Sequence, residues 1–84
     1  MNYVVDWLPA AQQQLAQIWT DASDKMAVTT AANAMDRELE RDPFSLSESR
    51  AGARRIMVIA PLAILFDVDQ TQRSVNVRCV WRWC

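Results

Sequence analysis

The chain has 84 residues, about half of them apolar, with a formal net charge of −1, two cysteines and no histidine. That length allows one domain, residues 1–84, with a modest core, and the missing imidazole removes every Ser-His, Cys-His and His-metal mechanism. No apolar run approaches the roughly 18 residues that span a bilayer, and no basic-then-apolar leader opens the chain, so a soluble, cytoplasmic protein is expected.

"NYVVDWL" is β-branched and aromatic and runs into Pro9. A residue before proline is pushed toward extended geometry, so a first strand ends near Leu8. Pro9 suits the first position of a helix. Leu8, Ala11, Leu15, Ile18, Trp19 and Ala22 then recur at helical spacing, with Gln12, Gln13, Gln14 and Gln17 between them, which predicts an amphipathic helix over 9–21. "DASD" interrupts it and supplies capping oxygens for a second helix. In that helix Val28, Ala32, Met35 and Leu39 form an apolar stripe, and Asp42-Pro43 stops it near Arg41.

"DPFSLSESRAGA" is polar, carries the only glycine, Gly52, and reads as a linker. Three strands follow: Arg54–Ile59, Leu62–Asp69 and residues 74–83, separated by short turns that force an antiparallel meander. The order β-α-α-β-β-β predicts an α+β protein, two antiparallel helices packed on one face of a twisted, mainly antiparallel four-stranded sheet.

The charge is unevenly spread. Residues 1–49 hold three cations against eight carboxylates, whereas residues 50–84 hold six arginines against Asp67 and Asp69. Arginine forks suit phosphate or carboxylate. An anionic partner at the C-terminal half and pairing with the acidic helices are both open readings. Strict alternation on the last strand puts Val75, Val77, Cys79, Trp81 and Trp83 on the core face and Asn76, Arg78, Val80 and Arg82 outside. Arg54, Arg78 and Arg82 are then the candidates for an anionic contact. Trp7, Trp19, Trp81 and Trp83 are expected in or at the edge of the core, and Met26, Met35 and Met57 as gap-fillers. Asp67 and Asp69 read as an exposed strand end. Cys79 and Cys84 stand about 16 Å apart on an extended strand, too far for a disulfide, and too few ligands remain for zinc. No metal or cofactor is expected.

The collinear series "VVDWLPAAQQQLAQIW", "MDRELERDP", "SESRAGARR", "VIAPLAILFDVD" and "RSVNVRCVW" resembles the RelE/ParE superfamily of bacterial toxins, the plasmid-stabilisation or addiction-module toxins of type II toxin–antitoxin systems. The resemblance runs nearly the full length. It implies a growth-inhibiting toxin neutralised by a cognate antitoxin. The target would be DNA gyrase, as in the ParE branch, or ribosome-bound mRNA, as in the metal-free RelE endonucleases. In the RelE pattern Arg54 falls at a lysine position with Arg55 beside it, and the final-strand arginine falls on Arg82 or on Trp83. Arg54 and Arg82 are thus the catalytic candidates, with Arg55 and Arg78 as anion contacts. An arginine position of the family falls on Ala63, and the family's C-terminal tyrosine lies beyond Cys84, so the catalytic set is degraded. Arginine is also a poor general base. The alternative is a protein-binding module of the same fold without toxicity.

Overall fold

A computed structural model describes residues 2–83. The elements are β1 (Val4–Trp7), α1 (Pro9–Asp21), α2 (Lys25–Arg41), β2 (Ser47–Ala51), β3 (Arg54–Ile59), β4 (Leu62–Asp69) and β5 (Ser74–Arg82). The sheet runs in the order β1-β5-β4-β3-β2. β1 lies parallel to β5, and every other neighbouring pair is antiparallel. Both helices lie on one face, α1 over β5 and α2 against β1, β3 and β4.

The sheet has five strands where four are expected. The addition is β2, inside the stretch read as a linker. Its residues are Ser47, Glu48, Ser49, Arg50 and Ala51, and all but Ser47 are exposed. An edge strand with little apolar to bury shows no alternation, so periodicity passes over it. Its hairpin with β3 turns on Gly52 and Ala53. Gly52 has φ +56 while Ala53 keeps negative φ, the pattern of a type II′ turn, which wants glycine first. The only glycine of the chain therefore closes a hairpin.

α1 begins with Pro9 in its first turn and buries Ala11. α2 buries Val28, Ala31, Met35 and Leu39 down one stripe. Asp24 stands at the N-cap of α2, yet its side chain makes no capping bond; its carboxylate takes the guanidinium of Arg82 instead, at 2.6 Å. The capping expected from "DASD" gives way to this long-range ion pair.

Beneath the helices, Leu62, Ile64, Phe66 and Val68 alternate on β4 and meet Met57, Val75, Val77 and Val80. Each large side chain fully removed from water contributes about 1.5–3 kcal/mol. Met35 and Met57 are core residues, whereas Met26 is 84% exposed and fills no gap.

The ladder between β4 and β5 slips once. Leu65 is opposite Cys79, but Phe66 is opposite Val77, so Arg78 is an extra residue in β5. Such a bulge shifts the parity of everything beyond it. Val80, expected outside, is buried at 3% exposure. Cys79 and Trp81, expected in the core, are only half-buried, and Trp83 is 48% exposed. Beyond the end of β1 the outer side of β5 has no strand partner among the described residues. There the Val80 N–H donates to Gln14 Oε1 of α1 at 2.8 Å, so a side chain takes the place of a ladder bond. Cys84 lies outside the described residues.

Candidate interaction face

Among the described residues, the second face of the sheet carries no helix. Cross-strand partners share a face, so the register identifies its rows. Ile56, Leu65 and Cys79 form one row, Val58, Ala63 and Trp81 the next, and Arg54, Asp67 and Asn76 a polar one. Ala63 is fully buried yet separate from the helix-side core, because it sits low between Val58 and Trp81. Two apolar rows thus occupy the middle of the open face, with Val58 among the exposed large hydrophobics. At its polar end Asp67 Oδ1 accepts from Arg54 Nε–H at 3.1 Å, and Oδ2 accepts from Arg78 Nη1–H at 3.0 Å.

The four arginines singled out from the sequence divide between the two faces. Arg54 and Arg78 come together on the open face around Asp67. Arg55 pairs in register with the core residue Phe66 and so points to the helix side. It donates to the Ser47 hydroxyl at 2.7 Å and the Ser47 carbonyl at 3.0 Å, and its guanidinium lies 5.0 Å from the centre of the Phe44 ring. Arg82 pairs with the buried Leu62 and also turns to the helix side, where it reaches Asp24. Arg54 and Arg82 therefore lie on opposite faces of the sheet. Pairing with the acidic helices accounts for Arg82, as the second reading of the charge pattern allows.

One titration follows from that geometry. The Arg82 guanidinium hydrogen-bonded to Asp24 holds this carboxyl below its ordinary range. Arg41 donates from Nη2 to both carboxylate oxygens of Glu38, one turn back in α2, and this raises Arg41 further above an already high value.

The helix side has a feature that sequence patterning does not reveal. An open groove of about 620 Å³ runs between α1 and α2, with Trp7, Leu15, Trp19, Val28 and Ala32 among its lining residues. Trp7 Nε1–H donates to Asp36 at 3.0 Å and Trp19 Nε1–H to Thr29 at 3.1 Å, so both indoles tie the first part of the chain to α2. Trp19 is one of the exposed large apolar residues.

Chemically the open face offers apolar contact and two guanidiniums. Asp67, its central carboxylate, has both oxygens engaged by arginine. Ala63 supplies no functional group.

No protein-family model matches the sequence, and no curated protein matches it. Solved structures do share the architecture. A chain of the toxin–antitoxin complex RelBE2 from Mycobacterium tuberculosis superposes with a TM-score of 0.81 at 13% identity, covering 98% of this chain and 99% of that one. The YoeB dimer from Staphylococcus aureus gives 0.65 at 14% identity, with 94% of each chain covered. The conserved hypothetical protein HP0892 from Helicobacter pylori gives 0.61 at 8% identity, covering 95% of this chain and 93% of that one. The chain has the RelE-type toxin fold.

Proposed function

We propose that this protein is the toxin half of a toxin–antitoxin pair. The observation that carries the reading is the end-to-end likeness to a chain of the RelBE2 toxin–antitoxin complex, at a TM-score of 0.81. In this reading a cognate antitoxin covers apolar surface of the chain and neutralises it. The open sheet face acts on the target.

The composition of that face favours a protein target, as in gyrase inhibition, over cleavage of mRNA. Phosphoryl transfer needs a proton acceptor and cations free to follow the developing charge. Here Arg54 and Arg78 share one carboxylate, Arg55 and Arg82 serve the helix side, and the rows between are apolar. Large apolar side chains left on a surface mark a protein contact more often than a phosphate path.

The test is inducible expression in bacteria, with and without the partner encoded beside it. Growth should stop without the partner and continue with it. Purified protein should inhibit gyrase supercoiling and leave translated mRNA intact. Normal growth on induction would remove the toxin reading. Growth arrest with ribosome-dependent cleavage would instead assign the RNA-directed mode.

A further inference from the structure

The groove between α1 and α2 carries one charge of its own. Among its described lining residues Asp36 alone is of a charged type, and the rest are apolar, aromatic or neutral polar. Asp36 Oδ1 accepts from Trp7 Nε1–H at 3.0 Å, while Oδ2 has no partner among the described residues and is open to solvent. The other end of the groove has the opposite sign. Lys25 Nζ lies 5.1 Å from the centre of the Trp19 ring, held there by the Ala22 carbonyl at 2.7 Å and the Thr20 carbonyl at 3.2 Å. Between the two ends Leu15, Val28 and Ala32 supply apolar wall. Val28 and Asp36 both belong to α2, and their spacing at about 1.5 Å per residue makes the groove about 12 Å long. Hydrogen bonds from both indoles to α2 fix the aromatic walls in advance. The volume of about 620 Å³ lies within the range of small-molecule sites, about 300–1,000 Å³.

We propose that this groove binds a small amphiphilic organic cation, with its ammonium on Asp36 and its apolar body running past Leu15 and Ala32 toward Trp19. An anion is repelled by the carboxylate, and a neutral ligand leaves Oδ2 to water. An ammonium pairs with Oδ2 in surroundings that are mostly apolar, and the Trp7 indole beside it adds the attraction of an aromatic ring for positive charge. Lys25 repels a second positive charge at the Trp19 end. That sets the direction of the ligand and limits it to one charge. The groove lies on the helix side, away from the open face of the sheet, so the inference stands independently of the toxin reading.

The experiment titrates the full chain at neutral pH with three ligands of one shape: phenylbutylamine, phenylbutanol and phenylbutyrate. Binding is read from the indole N–H resonances of Trp7 and Trp19. The amine should shift both resonances and saturate with a dissociation constant of about a millimolar or below. It should bind about fivefold tighter than the alcohol, as a charge-assisted bond does over a neutral one, and the carboxylate should bind more weakly than either. Asp36→Asn keeps an oxygen for the Trp7 N–H and removes the charge. It should bring the amine to the level of the alcohol and leave the alcohol unchanged, whereas a merely structural role would weaken both. Ala16→Leu, on the exposed α1 wall of the groove, should weaken amine and alcohol alike by at least about fivefold. The ligand series on the native chain tests the charge preference without any variant. An amine that binds no tighter than the alcohol, or shifts neither indole, would overturn the proposal. So would a preference for the amine that survives Asp36→Asn, or a groove that a second copy of the chain closes and the amine does not reopen.

Discussion

Arg82 shows how one residue changes meaning once its neighbours are known. In the sequence it ends a basic, aromatic strand and invites a catalytic role. In the structure it crosses to Asp24 at the start of α2, 58 residues away, and ties the end of the sheet to the turn between the helices. The sign of the resulting pH dependence is fixed. Asp24 is held below its ordinary range when folded and returns to it when unfolded. Its contribution is complete above the unfolded value and fades as acid carries the pH down through the folded one. Arg82→Ala or Asp24→Asn should therefore lower the urea midpoint at neutral pH, and the gap to native should narrow as the pH falls below the ordinary carboxylate range. An equal loss at every pH would contradict the pairing. In the core, Phe66→Ala should cost about 3–5 kcal/mol in urea denaturation, since the ring is wholly enclosed.

At the scale of the elements, the strongly periodic segments were legible and the exceptions have local causes. The bounds of α1, β3 and β4 follow from proline, alternation and turn spacing. β2 escaped because its side chains are polar and exposed, although Gly52 marks the hairpin that contains it. The bulge at Arg78 escaped because it depends on which residue of β4 meets which of β5, a fact of pairing rather than of either strand alone. Its consequence can be measured. Val80→Ala should destabilise by about 2 kcal/mol, as removal of buried aliphatic carbon does. Trp81→Ala should cost less than its size suggests, because its face carries no helix. The opposite ranking would restore simple alternation and remove the bulge. Gln14→Ala leaves the Val80 N–H without its partner, so that amide should exchange faster with solvent and stability should fall by about 1 kcal/mol.

For the whole molecule, the order of helices and strands already marked the RelE-type architecture, and full-length superposition on solved structures bears the fold out. The site was less legible. Three arginines read as one outer face, Arg54, Arg78 and Arg82, divide between the two faces of the sheet, because a sequence gives the parity of a strand only while the strand stays regular. Charge asymmetry between the halves of the chain is real. Part of it is met within the molecule, Arg82 by Asp24 and Arg50 by Glu48 across the halves, while Arg54 and Arg78 share Asp67 inside the second half. What remains for a partner is the apolar middle of the open face, together with the groove between α1 and α2. The most direct measurement of the central claim is bacterial growth after induction of the native chain and of Leu65→Asp, which places a charge in that apolar middle. The native chain should arrest growth and the folded variant should not. Unimpaired growth with the native chain, or equal arrest with the variant, would contradict the account.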